Sequence, residues 1–374
     1  YNADVENGKN EQIANIAAIT PSKDYKNNAI AELENVANQR KHDLTQDPDM
    51  TNEERDYAND SVDRMLGQGS ANVYQAANKQ SVDSNKNDGI NTINQVQAFV
   101  TTKSNARNEI TQAADQRKAT FPNDNNATTE EKEAATNNVD ALVAASNEQI
   151  NQAKTDAAVN QIKDQTIQEI NQVIPANTKK ETALADIKTK QDQQTYIINN
   201  EPNATTEEKE AALQTLTQAV TTANDEINAA TTNAQVDTAV QNGETNIGNV
   251  VPETQTKTNA KNEVDQAATN QNNTIDQNQD ATTEEKDAAK QLVARTQNNA
   301  NQAIVNAENA ADVEAKKNEG INSIGQITAD TGIKTAVKTD LQNQANDKKQ
   351  QIANNNGSTE EEKQAANTKV DDAL

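Results

Sequence analysis

Apolar residues are sparse in this chain, but they recur in register. One series runs Val82, Ile90, Ile93, Val96, and it returns as Val5, Ile13, Ile16, Ile19 and as Val313, Ile321, Ile324, Ile327. A second runs Ala106, Ile110, Ala114, Phe121, echoed by Ala29, Leu33, Ala37, Leu44 and by Ala260, Val264, Ala268, Ile275. A third runs Ala135, Val139, Leu142, Ile150, Ala153, echoed by Ala212, Leu216, Ala219, Ile227, Ala230. Steps of three, four, seven and eight residues trace a narrow apolar stripe along an α-helix. No period-two alternation runs for any useful length. The three series come round in order, so each repeating unit reads as three amphipathic helices.

The breaks between series agree. Pro21, Pro175 and Pro252 share one column between the first and second helices. Proline ends a helix there because it has no amide hydrogen and restricts the residue before it. Polar stretches such as FPNDNNATT and NNEPNATT separate the second helix from the third and have loop composition.

The third helix opens on a motif that fixes the period. NATTEEKEAA begins at Asn126 and again at Asn203, DATTEEKDAA at Asp280, GSTEEEKQAA at Gly357 and the more distant MTNEERDYA at Met50. Its basic residue falls at Arg55, Lys132, Lys209, Lys286 and Lys363, always 77 residues apart. The chain is therefore a tandem array of one unit. Counted from the first residue, the units are 1–77, 78–154, 155–231, 232–308 and a truncated 309–374. Within the motif, a threonine followed three residues later by glutamate is a capping box. The pairs are Thr51 and Glu54, Thr128 and Glu131, Thr205 and Glu208, Thr282 and Glu285, Thr359 and Glu362. The acids also suit the positive pole of the helix dipole. A helix start explains TTEEK better than an acidic ligand-binding loop does.

An odd number of helices carries the chain from one end of a bundle to the other. The junction from Ala153 to Val159 is short, with Thr155 as a cap, and TTNAQV and ENAADV fill the same place later. The expected architecture is all-α: three-helix bundles stacked end to end into a monomeric rod. A helix of about 20–26 residues is roughly 30–40 Å long, so five units extend to about 150–200 Å. Alanine fills many core positions, so each unit is expected to draw part of its stability from its neighbours.

Composition changes this picture in only two ways. Leu, Ile, Val and Phe make up about 15% of the chain, below the roughly 20% at which a highly charged chain is usually disordered. The regular placement of those few residues is what argues for a fold. The net charge of −24 makes nucleic acid and anionic lipid poor partners. Cysteine is absent, which removes disulfides, thiol nucleophiles and cysteine metal sites and fits a secreted protein. No apolar run reaches the roughly 18 residues of a membrane helix. The chain opens and stops partway through its own pattern, so it reads as an excerpt from something longer.

The search for chemistry finds little. His42 is the only histidine, and its column elsewhere holds Ala119, Tyr196, Asn273 and Gln350, as a solvent-facing position would. No phosphate-binding glycine loop or nucleophile elbow occurs. DQNQDATTEEKD places Asp276, Asn278, Asp280 and Asp287 in an order resembling a calcium loop, but Ala281 stands where the turn glycine belongs and the other units do not reproduce it. Phe121 falls on a core series. Gly89, Gly243 and Gly320 share a helical column that Gln12 and Thr166 fill elsewhere, which points to close helix approach. No catalytic, cofactor-binding or metal-binding residue is assigned, and no cofactor is expected.

The combination of V…GIxxI…P, K…A…I, ATTEEKxAA and IxxATTxxxV in one unit resembles the helical repeat, long designated a domain of unknown function, of giant staphylococcal cell-wall surface proteins such as the extracellular matrix-binding protein homologue, SasC and FmtB. The resemblance covers the whole chain. The first unit departs most, with MTNEERDYA and the bulkier Met65 and Leu66. It implies an extracellular, cell-wall-associated location within a larger anchored protein, a role in adhesion or envelope architecture, and no catalytic residue. Two functions follow as expectations. One is a non-catalytic stalk that spaces a distal binding region from the wall. The other is a multivalent adhesin whose repeats bind extracellular-matrix or cell-surface partners directly and gain strength by avidity.

Overall fold

The computed structural model describes residues 1–374 as helices joined by short turns. The α-helices are α1 (Asn2–Ala17), α2 (Asp24–Leu44), α3 (Asn52–Gln75), α4 (Lys79–Gln95), α5 (Thr102–Lys118), α6 (Thr129–Gln152), α7 (Asp156–Gln172), α8 (Thr178–Asn199), α9 (Thr206–Ala229), α10 (Asn233–Gly248), α11 (Gln255–Gln277), α12 (Thr283–Asn306), α13 (Ala310–Gly325), α14 (Gly332–Ala353) and α15 (Glu360–Ala373). One 3₁₀ turn, Phe121–Asn123, drops Phe121 into a core. Two compact units divide the chain, residues 1–179 and 180–374.

In the first unit, α2, α3 and α4 enclose a core that includes Leu33, Val62, Val73, Val82 and Ile93. Helices α5, α6 and α7 enclose a second around Ile110, Phe121, Val139, Ile150, Val159 and Ile170. In the second unit, Ile187 and Ile198 of α8 pack with Leu216 and Ile227 of α9 and with Val236 and Ile247 of α10. Helices α11, α12 and α13 repeat the arrangement around Val264, Val293, Ile304 and Ile324, and α14 lies against α15.

This corrects the boundaries read from the sequence. Each bundle begins with the helix counted second in its unit and closes on the first helix of the next count. Cuts after residues 77 and 154 therefore fall inside bundles, between α3 and α4 and between α6 and α7. A strict period looks the same wherever counting starts, so periodicity gives the size of the unit and leaves its phase open. Helix α1 shows the consequence. It stands one period before α4 and buries no residue; Val5, Ile13 and Ile16 along it and Ile19 just past its end are between 53% and 76% exposed.

Two recurring details set the bundle geometry. The carbonyl that ends each closing helix accepts a side chain one column over on the opening helix. Arg40 Nε donates to Val96 O (3.1 Å), Arg117 Nε to Val173 O (2.6 Å), Gln194 to Val250 O (2.7 Å) and Gln271 to Ile327 O (2.6 Å). These bonds satisfy carbonyls that a helix terminus otherwise leaves open. The glycine column marks close approach. A Cβ on Gly320 would sit 2.5 Å from Ala300 Cβ, and one on Gly243 2.6 Å from Ala223 Cβ. In the first bundle the same two columns hold Gly69 and Gly89, and in the second Ser146 and Thr166, both buried.

Candidate functional site

The recurring motif residues meet where one bundle ends and the next begins. Thr51 is fully buried; its hydroxyl accepts the Glu54 N–H (3.3 Å), and Glu54 Oε2 accepts the Thr51 N–H (3.0 Å). The same reciprocal pair forms at Thr128 and Glu131, Thr205 and Glu208, Thr282 and Glu285, and Thr359 and Glu362. A capping box uses one carboxylate oxygen. In the four internal motifs the other oxygen reaches forward into the next repeat. Glu54 Oε1 accepts the N–H groups of Thr101 (2.8 Å) and Thr102 (2.9 Å) at the start of α5. Glu131 Oε1 accepts from the Thr178 hydroxyl (3.2 Å) and the Lys179 N–H (3.0 Å). Glu208 Oε1 accepts the N–H and hydroxyl of Thr256 (3.0 and 2.9 Å), and Glu285 Oε1 the N–H of Ile333 (3.2 Å). One carboxylate thus caps two helices that belong to successive repeats.

The neighbouring letters of the motif have work of the same kind. The residue after the capping threonine donates its N–H across the junction, Asn52 to Lys154 O and Thr206 to Glu308 O, each at 2.8 Å. The glutamate next in line caps the helix that closes the following bundle: Glu53 Oε2 accepts the Asp156 N–H (3.1 Å) and Glu207 Oε2 the Ala310 N–H (3.0 Å). The basic residue reaches back ten positions to the end of the preceding helix. Lys209 donates to Asn199 O (2.9 Å), Lys286 to Asp276 O (2.8 Å), Lys132 to Pro122 O (3.3 Å), and Arg55 to Thr45 O. In TTEEK, each polar letter closes a helix end.

A lysine column completes the junction. Lys103 and Lys257 are almost fully buried, and their ammonium groups donate to Asn151 O (2.9 Å) and Val305 O (2.6 Å) at the ends of α6 and α12. Lys257 also bonds Pro202 O in the preceding repeat (2.9 Å). Lys26 and Lys180 make the equivalent bonds to Tyr74 O and Asn228 O. Desolvation holds the Lys103 and Lys257 ammonium groups below the ordinary lysine range. Burial alone would raise the carboxyls of Glu54, Glu131 and Glu208, but the N–H groups aimed at them outweigh it, and all three lie below the ordinary glutamate range. In the first junction Arg107 adds a two-pronged pair with Asp49 (3.0 and 3.1 Å) and a bond to Asn151 Oδ1 (2.5 Å).

Sequence reasoning placed the caps at helix starts but missed the forward oxygen, the first glutamate of the pair and the buried lysine. The signal was present. A lysine recurs at positions 26, 103, 180, 257 and 334, three residues before the alanine (valine in the last copy) that opens an apolar series, on the face that turns inward.

The remaining candidates do not converge. His42 is exposed near the end of α2, with Gln46 beside its Nδ1 (3.4 Å). In the calcium-like stretch Asp276 and Asp287 pair with Lys290 (3.0 and 3.3 Å), Asp280 pairs with Lys338 (2.8 Å), and Asn278 Oδ1 accepts the Asp280 N–H (3.0 Å). Those acids face lysines, not one another. No group of three or more His, Cys, Asp or Glu side chains is placed to hold a metal ion, and no helix is long and apolar enough to cross a membrane. The junction is a joint between repeats held by backbone and side-chain hydrogen bonds.

Comparison with known proteins finds staphylococcal extracellular matrix-binding proteins among the relatives of this chain. The extracellular matrix-binding protein EbhA of Staphylococcus aureus (strain Newman) is 24% identical over 285 residues, covering 75% of this chain and 8% of that protein. The extracellular matrix-binding protein ebh of S. aureus (strain NCTC 8325 / PS 47) is 24% identical over the same length and share of this chain, which spans 3% of it. The chain therefore corresponds to a small part of these relatives. A crystal structure of EbhA (756–1003 domain) from S. aureus aligns over 79% of this chain and 99% of that one, at 21% identity and a TM-score of 0.22. The family described as Domain of Unknown Function (DUF1542) matches residues 25–101, 102–178, 179–255, 256–332 and 333–374. Those matches begin at the helix that opens each bundle, in the phase of the fold. The chain belongs to the DUF1542 family, of which it carries four full copies and part of a fifth in succession.

Proposed function

We propose that these repeats are a non-catalytic stalk: an extended, jointed spacer in a larger extracellular, cell-wall-associated protein that holds a binding region away from the surface. The observation that carries this reading is the use to which the recurring residues are put. The threonine and the basic residue of the motif close helix ends inside a bundle, its two glutamates and the residue after the threonine bond across to the next bundle, and the buried lysine tethers helix ends at the same place. Solvent-facing columns drift, as that of His42 does through Ala119, Tyr196, Asn273 and Gln350. A repeated ligand site would keep an exposed feature constant and let the joints vary.

A second reading has one observation in its favour. The relatives are named for binding extracellular matrix, and a repeat that bound matrix weakly would gain by multiplication. Binding of the 374-residue chain to purified collagens and matrix glycoproteins separates the two. The stalk reading expects no saturable binding. Saturable binding whose strength climbs with the number of repeats would replace it with the adhesin.

A further inference from the structure

Asparagine followed by glycine is a chemically fragile pair, because glycine has no Cβ to hinder its backbone nitrogen from attacking the neighbouring side-chain amide. The chain holds three such pairs. Asn7–Gly8 and Asn242–Gly243 lie inside α1 and α10, and Asn356–Gly357 lies in the turn between α14 and α15. Asn242 and Asn356 are both exposed, so access to water does not separate them. The backbone does. In α10 the chain is held by the hydrogen bonds of the helix, and Gly243 is buried so closely that a Cβ there would lie 2.6 Å from Ala223 Cβ and 2.8 Å from Ile187 Cδ1. Turning Gly243 toward the Asn242 amide would break both the helix and its packing. Gly357 is exposed outside any helix, and its N–H donates to the side chain of Asn355 (3.0 Å), itself exposed.

We propose that Asn356 is a site of spontaneous deamidation and backbone isomerisation. The Gly357 nitrogen gives up its proton to hydroxide or water and bonds to Asn356 Cγ. The Cγ–Nδ2 bond breaks, ammonia leaves, and a succinimide ring closes. Water then adds to one of the two ring carbonyls. Opening at Cγ gives aspartate, and opening at the main-chain carbonyl gives isoaspartate, whose backbone runs through Cβ and Cγ. The balance is one water in and one ammonia out, with one negative charge gained.

The exposure of this site does not depend on where the sequence stops. In earlier repeats its column holds Gln279, Pro202, Asn125 and Pro48, each with a further repeat after it and each exposed. The residue that follows is Asp280, Asn203, Asn126 or Asp49, so this copy alone carries the reactive pair there. The column also belongs to the joint. Pro202 O accepts from Lys257 (2.9 Å) and Gln279 O from Lys334 (2.8 Å), each a lysine of the next repeat. An isoaspartyl link adds a carbon to the main chain and displaces this carbonyl, so the reaction alters the acceptor that a following lysine uses.

Peptide mass spectrometry of the folded 374-residue chain, held in neutral buffer for several weeks, tests the proposal. Asn356 is expected to gain about 1 Da, with isoaspartate among the products. Its rate is expected to exceed that of Asn242 at least about tenfold, because the helix protects the latter. In urea, where both pairs are freed, the two rates are expected to converge to within about threefold. Gly357→Ala is the matched control. Gly357 does not need a positive φ, and the added methyl would lie 3.4 Å from Asn355 Oδ1, so the turn accepts it. This variant is expected to keep its helix content by circular dichroism and to slow the loss at Asn356 at least about tenfold. Asn356 reacting no faster than Asn242 in the folded chain overturns the proposal, as does a rate that Gly357→Ala leaves unchanged. A product containing aspartate alone excludes the succinimide route, and a rate gap that persists in urea removes the fold as its cause; either result overturns it too.

Discussion

Glu208→Ala removes a carboxylate that serves two repeats, and Glu362→Ala removes one that here caps α15 alone. The comparison isolates the joint. At Glu208 three donors lose their acceptor: the Thr205 N–H (2.8 Å), the Thr256 N–H (3.0 Å) and the Thr256 hydroxyl (2.9 Å). At Glu362 the bond given up is that from the Thr359 N–H (2.8 Å). Losing a helix cap costs about 1 kcal/mol. A hydrogen bond to a charged group contributes about 1.5–3 kcal/mol when buried, and a half-exposed site gives about half of that because water replaces part of what is lost. Glu208→Ala is therefore expected to cost about 2–3 kcal/mol, against about 1 kcal/mol for Glu362→Ala. Urea unfolding followed by residue-resolved hydrogen exchange reads both terms. The Glu208 variant should lose protection at Thr205 and also 51 residues away at Thr256, while the Glu362 variant should lose it only around α15. Equal costs, or an undisturbed Thr256 amide, would refute the double role.

Three further outcomes follow from the same geometry. The junction glutamates hold carboxyls lowered in the folded state, so their contribution is complete above the unfolded glutamate value near ~4.3 and is lost as pH falls through the lowered folded value. Urea midpoints measured from pH 6 downward should drop over that acidic range, and Glu208→Gln should remove part of the drop. Lys103→Ala strands the Asn151 carbonyl that the buried ammonium now satisfies, and should cost about 2–3 kcal/mol in urea melts; Lys103→Met, which keeps the stem packed, should cost less. Gly320→Ala drives a methyl to 2.5 Å from Ala300 and should destabilise by about 1–3 kcal/mol. Adding Ala300→Gly, which moves the small residue to the other helix, should recover most of that loss in thermal melts.

Much of this fold was legible in the residues because amphipathic periodicity is local. Ala106, Ile110, Ala114 and Phe121 all lie in the core as their spacing indicates, and the prolines and capping threonines mark real helix ends. The phase of the bundles was not legible. Whether α4 joins α3 behind it or α5 ahead of it depends on which stripes face each other, and a translationally repeating sequence contains both options equally. The joint was hidden for another reason. Its bonds link residues 47 to 103 positions apart, so a glutamate that reads as a complete local motif gives no sign that its second oxygen is engaged elsewhere. The buried lysine was overlooked because ammonium groups usually stay in water; its column on an apolar face was the clue.

Small-angle X-ray scattering of the 374-residue chain tests the stalk most directly. The stalk reading puts four bundles and the α14–α15 pair in line, which corresponds to a length of about 150–200 Å and a radius of gyration near ~50 Å. A compact globule of this chain length would give about 21 Å, and that value would contradict the account.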